Sequence, residues 1–192
     1  MTPTIRRPLL ALLALLGLPL LLAGQEAGVT AGGAYVSLGG SDYDGVDAAL
    51  GLQAQLWYRP WRRVELAVLA QRSVHDLKGV GPDLTAFLVL AEARFLIPQR
   101  PGGLTPYLGA RVGYASQQFT VQGYDATAGG LALGTAAGLR IPITGRLAAE
   151  VAASWTYLSF GEFSVLGTSV GGTDTRGSAL ALQAGVAIAV TR

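Results

Sequence analysis

The stretch Ser178-Ala179-Leu180-Ala181-Leu182-Gln183-Ala184-Gly185-Val186-Ala187-Ile188-Ala189-Val190 alternates with a period of two. Leu180, Leu182, Ala184, Val186, Ile188 and Val190 share one face; Ala179, Ala181, Gln183, Gly185, Ala187 and Ala189 share the other. A half-buried strand of a soluble sheet sets a charged face against its apolar one. Here the second face is small and uncharged, so neither side suits bulk water. A strand reads this way when one side meets lipid and the other a narrow interior, as in a transmembrane β-barrel.

Seven earlier segments alternate in the same manner: 30–39, 46–58, 64–75, 84–97, 106–120, 130–141 and 146–158. In 30–39 the alternation places Ala34, Val36 and Leu38 outward and Tyr35 and Ser37 inward. In 46–58 it places Val46, Leu50, Leu52 and Leu56 outward, with Gln53, Gln55 and Trp57 inward. Segment 84–97 is apolar at both parities near its start, and Glu92 and Arg94 decide it. Two charges turned to hydrocarbon are costly, so the even positions face in. Connections after the first, third, fifth and seventh segments are mostly the longer and more polar ones, including a loop over 159–177. That alternation matches outer loops and periplasmic turns, with both termini on the periplasmic side. An open edge in lipid would leave backbone groups unpaired, so the reading is an all-β, eight-stranded antiparallel up-and-down transmembrane barrel.

Ahead of the barrel, Arg6 and Arg7 followed by an apolar run over 9–22 and small residues at Ala23 and Gly24 read as a cleavable signal peptide. Residues 1–24 are assigned to it and 25–192 to one barrel domain. The isoelectric point is about 9.1. Two of the 14 basic residues, Arg6 and Arg7, belong to the leader, which leaves 12 against 12 acidic residues. A neutral mature chain gives no footing for nucleic-acid binding, and none is expected. The chain has no cysteine, which excludes disulfides and thiolate metal sites. No cofactor is expected either.

The segment Thr105-Pro106-Tyr107-Leu108-Gly109-Ala110-Arg111-Val112-Gly113-Tyr114, with Gly138-Leu139-Arg140-Ile141-Pro142-Ile143, resembles the small outer-membrane β-barrel families of the OmpA, OmpX and OmpW type. The resemblance covers essentially the whole mature chain and implies fold rather than activity. Those families tend to end in Gly-x-x-aromatic-x-Phe, which the barrel-assembly machinery reads during insertion. This chain keeps the spacing from Gly185, with Ile188 and Val190 in the two aromatic places.

Inward charges form the first candidate site. Hairpin pairing sets Gln55 opposite Glu65, Glu65 near Arg94, Glu92 opposite Arg111, and Arg140 opposite Glu150. Cross-strand neighbours lie within reach of an arginine–carboxylate fork. An eight-stranded barrel has an interior that side chains just fill. The expectation is therefore a lumen plugged by Glu65, Glu92, Arg94, Arg111, Arg140 and Glu150. Ser73 and His75, sharing a strand face with Asp76 or Asp83 nearby, form a second, weaker candidate for nucleophilic chemistry. Acidic outer loops, with Asp42, Asp44, Asp76, Asp83, Asp125, Glu162 and Asp174, are a third, for divalent cations, although no spacing matches a calcium loop. Arg59, Arg62, Arg63, Arg100 and Arg146 lie at the opposite end.

These readings combine as a non-enzymatic, monomeric protein of the bacterial outer membrane, bathed in outer-membrane lipid, with a structural or surface-interaction role. The alternatives are a narrow porin-like channel and a lipid A-modifying barrel enzyme using Ser73 and His75. A soluble lipocalin-like barrel would reverse the faces, and the single lysine of the chain argues against a soluble exterior. A closed barrel of this kind is expected to migrate as a compact species on a detergent gel until boiled. A single, heat-independent mobility would remove the closed-barrel reading.

Overall fold

The computed structural model describes residues 26–77, 83–97, 103–121, 124–165, 168–170 and 175–191. The leader assigned to 1–24, together with Lys78, Arg100 and Asp174, lies outside the described residues. The strands are β1 (Glu26–Gly39), β2 (Ala49–Trp61), β3 (Val64–His75), β4 (Leu84–Leu96), β5 (Thr105–Val121), β6 (Tyr124–Pro142), β7 (Leu147–Val165), β8 (Thr168–Val170) and β9 (Thr175–Thr191). Each strand from β1 to β7 pairs antiparallel with the next, β7 pairs with β9, and β9 pairs with β1. The ring is thus closed by eight strands, and β8 is a three-residue ribbon on the far end of β7. The shortest of the eight, β3, has 12 residues, and a tilted strand needs about 9–11 to cross the hydrocarbon core.

Alternation sorts the side chains into a greasy exterior and a packed lumen. Leu50 is 80% exposed, and Leu52, Leu108, Leu182 and Val190 join it on the outside. Such a surface on a soluble protein would be an aggregation liability; against acyl chains it is matched to its solvent. Exposed aromatic rings lie toward both rims: Tyr35, Phe87 and Tyr114 toward the loop end, Trp61 and Phe95 toward the end that holds the termini. Amphipathic rings are favoured at such boundaries.

The first strand departs from the sequence reading. Ala34, Val36 and Leu38 point into the lumen, with Val36 fully buried, while Tyr35 is 51% exposed. The inner half-layer they join is itself apolar, so in β1 both faces are hydrophobic and alternation alone does not tell them apart. Val46 also turns inward, bridging to Leu77 and packing on the buried cluster, and β2 starts only at Ala49. The expected loop over 159–177 is largely strand, since β7 runs on to Val165 and β8 and β9 follow. Gln55 pairs with Leu69 rather than Glu65, because the hairpin turns at Arg62-Arg63 instead of about Pro60; a one-residue register shift also falls between Tyr58 and Trp61. Pro60 sits inside that shift, where a residue without an N–H disturbs the ladder least.

Large inward side chains are accommodated by small partners across the sheet. Tyr107 pairs with Gly138, and a β-carbon added to that glycine would lie 2.5 Å from the tyrosine ring. A Gly138→Leu change is expected to destabilise the barrel by about 1–3 kcal/mol through overpacking. Ala137→Leu, one residue along and facing out, is expected to leave stability nearly unchanged. Urea unfolding followed by tryptophan fluorescence compares the two; equal losses would mean that room in the lumen is not limiting.

Candidate functional site

The lumen is built in two tiers. Toward the terminal end, β2 to β7 each contribute a charged side chain to one network. Arg94 on β4 is at its centre, almost fully buried. Its Nη1 donates to Glu65 Oε1 at 3.3 Å and Glu150 Oε1 at 2.9 Å, and its Nη2 donates to Gln55 Oε1 at 2.9 Å and Glu92 Oε2 at 3.1 Å. The Tyr107 ring stacks 4.4 Å from the same guanidinium, and its hydroxyl donates to Glu150 Oε1 at 2.9 Å.

Arg140 on β6 forks onto Glu65 at 2.6 and 2.9 Å and also donates to Glu150 Oε2 at 2.9 Å. It reaches Glu65 across the lumen, since β6 and β3 are not neighbours in the sheet. Glu92 also pairs with Arg111 at 3.2 Å, and Arg111 continues through Gln183 to Gln71. The six charges singled out from the sequence, Glu65, Glu92, Arg94, Arg111, Arg140 and Glu150, are thus joined in one cluster. Sequence reasoning did not place Arg59 in it. Arg59 donates to Glu65 at 3.1 Å, is ion-paired with Glu26, and stacks with Arg140 on the Trp57 ring. The signal was present in Trp57 and Tyr107, large residues at inward parities beside arginines.

Toward the loop end the lumen is mostly apolar, with Gln71, Ser73, His75 and Gln117 as buried polar side chains. Val36, Leu69, Leu88, Leu90, Leu158 and Phe160 pack in one buried cluster with Tyr43. Tyr43 comes from a short 3-10 turn, Ser41–Tyr43, which folds over the mouth between Gly40 and Gly45, both with positive φ. Such a backbone suits glycine, which has no β-carbon to clash. Gln117 Nε2 donates to the Tyr43 hydroxyl at 2.6 Å. Burial pushes the Tyr43 phenol above its ordinary pKa, and the negative charge of Asp42 adds to this while the Gln117 bond opposes it.

Ser73 and His75 meet just below this cap. Ser73 Oγ lies 2.8 Å from His75 Nε2, and His75 Nδ1 lies 2.9 Å from the Asp47 carbonyl. In a neutral imidazole Nδ1–H then donates to Asp47, which leaves Nε2 to accept the serine proton. The orienting group is a backbone carbonyl, and Asp76 and Asp83 are exposed. Ser73 is 1% exposed and His75 0%, so both side chains are buried in the lumen. The pair holds the first loop, which is also pinned by Asp47 N–H donating to the Asp76 carbonyl at 3.0 Å. Among the described residues, no three His, Asp or Glu side chains come together as metal ligands.

No protein-family model matches the chain, and no curated protein matches it. Solved structures do. Neisserial surface protein A superposes with a TM-score of 0.67 at 20% identity, covering 86% of this chain and 98% of that one. The attachment invasion locus protein Ail of Yersinia pestis gives 0.57 at 12% identity, over 85% and 97%. The outer membrane protein OprG of Pseudomonas aeruginosa gives 0.52 at 14%, over 88% and 95%. The fold is therefore that of the small eight-stranded outer-membrane β-barrels.

Removing the central guanidinium leaves three buried carboxylates sharing too little positive charge. Arg94→Met is expected to cost about 3–5 kcal/mol in urea unfolding, the range for breaking a buried ion pair. Arg94→Lys should recover only part of this, because a point charge does not span four partners. A loss below about 1 kcal/mol, the exposed-pair range, would mean the network is effectively solvated.

Proposed function

We propose that this chain is an integral barrel of the bacterial outer membrane with a non-enzymatic structural or surface-interaction role in the cell envelope. The observation that carries the reading is the filled lumen: an ion network in one half and an aliphatic plug in the other. Charges that satisfy one another stiffen the wall, and an apolar layer above them gives an ion no hydrated route. What is left to meet partners is the loop end.

The termini and short turns face the periplasm in this reading, and the capped end faces the exterior. Outer-membrane lipid surrounds the apolar band, barrel-assembly machinery inserts the chain, and the inserted protein is a monomer. Two of the similar structures belong to proteins whose names describe a surface protein and an attachment protein, which agrees with a role carried by loops. The buried Ser73 supports a non-enzymatic reading over lipid A modification.

Planar bilayers containing the folded protein test the closed lumen. The expected record shows no discrete conductance steps at moderate voltage. Reproducible unitary steps that scale with salt would transfer the assignment to a narrow channel.

A further inference from the structure

At the terminal end the lumen opens into a cavity of about 350 Å³, ringed by the β2–β3 and β6–β7 turns. Among the described residues, four arginines line it, Arg59, Arg62, Arg140 and Arg146, against one acidic residue, Glu26. Deeper charges do not correct this excess. Arg59, Arg94, Arg111 and Arg140 are matched by Glu26, Glu65, Glu92 and Glu150 within the paired network, four against four. Arg62 and Arg146 are therefore surplus. Both are exposed on the rim, and among the described residues no carboxylate pairs with either.

The two kinds of arginine differ in what holds them. Arg59 and Arg140 are fixed from behind by carboxylates and stack on Trp57, at 5.7 and 4.8 Å from the ring. They form a charge-paired floor stacked on one indole. Arg62 and Arg146 sit on turns with their guanidinium forks uncommitted, and such forks match the geometry of phosphate oxygens. Two unmatched cations around one cavity call for a dianion rather than a halide. We propose that this mouth is a binding site for a phosphate-class oxyanion, clasped between Arg62 and Arg146 above the Arg59–Trp57–Arg140 floor. The site stands independently of the envelope role, because it rests on the charge balance of the cavity alone. The oxyanion can come from a phospholipid headgroup of the adjoining leaflet or from a soluble phosphate ester.

Trp57 provides a reporter, being the buried tryptophan of three; Trp61 and Trp155 face outward. The full-length mature protein, folded in zwitterionic detergent, is titrated with pyrophosphate while the indole N–H signals are followed by NMR, with Trp57→Phe used to assign them. A saturable shift of the Trp57 signal, absent with chloride at matched ionic strength, is expected. In the R62Q/R146Q double variant, checked for folding by its heat-dependent gel mobility, affinity should fall roughly tenfold, about 1.4 kcal/mol. No saturable shift, an equal response to chloride, or unchanged affinity in the double variant would overturn the proposal. Nanodiscs separate the sources. If phosphatidylglycerol shifts the Trp57 signal and blunts the pyrophosphate titration relative to phosphatidylcholine, the ligand is a headgroup. Identical titrations in the two lipids assign it to a soluble phosphate.

Discussion

The Arg94 guanidinium, shared among Glu65, Glu92 and Glu150, is the interaction on which the rest of the lumen depends. Eight strands leave an interior that side chains fill, so any ion turned inward loses its water. It persists only when other ions replace that water on every side. Arg94 and Arg140 do this by reaching across the barrel, from β4 to β7 and from β6 to β3, and so tie opposite walls together. Backbone ladders close the ring and strand number sets its bore; these cross-lumen forks fill it. Small residues such as Gly138 then follow as a steric requirement, since the rings that stack on the arginines need space on the facing strand.

Most of the wall was legible from the sequence because lipid imposes a severe rule. A charge cannot face hydrocarbon cheaply, so Glu65, Glu92, Arg94, Arg111, Arg140 and Glu150 each fixed the direction of the strand that carries it. The last strand was legible for the complementary reason: Leu180 to Val190 is aliphatic at every second place but Ala184. On β1 neither signal exists. Its inward charge, Glu26, lies at the terminal edge outside the segment 30–39 read from the sequence, Gly32 and Gly33 blur the alternation, and Val36 faces an apolar layer that looks, in sequence, just like a lipid-facing one. The direction of Tyr35 was recoverable only from where the membrane boundary falls, which requires the neighbouring strands.

The site was legible as a set of residues and only partly as a set of contacts. Register within a hairpin is encoded locally, so Glu92 beside Arg111 and Arg140 beside Glu150 follow from turn positions. Contacts through the lumen have no such signature, and neither Arg94 with Glu150 nor Arg140 with Glu65 follows from strand order. The turn at Arg62-Arg63, later than the one expected about Pro60, carries Gln55 away from Glu65, yet Gln55 still meets Arg94 because a long guanidinium bridges the offset. The apolar tier was the larger surprise. Leu69, Leu88 and Leu90 were inward by parity, but only their convergence with Phe160 and the Tyr43 cap makes them a seal.

Strands β2 to β7 supply the members of the ion cluster without interruption, whereas the inward positions of β1 and β9 beyond Glu26 hold glycine, alanine, threonine, glutamine and aliphatic residues. The first and last strands of the cylinder thus bring a single lumen charge, Glu26, to their junction. The six middle strands carry four arginines against three glutamates, and Glu26 on β1 supplies the fourth carboxylate through its pair with Arg59, near the pairing of Val29 with Ile188. Closing the ring through β1 therefore completes the charge balance of the lumen together with the backbone ladder.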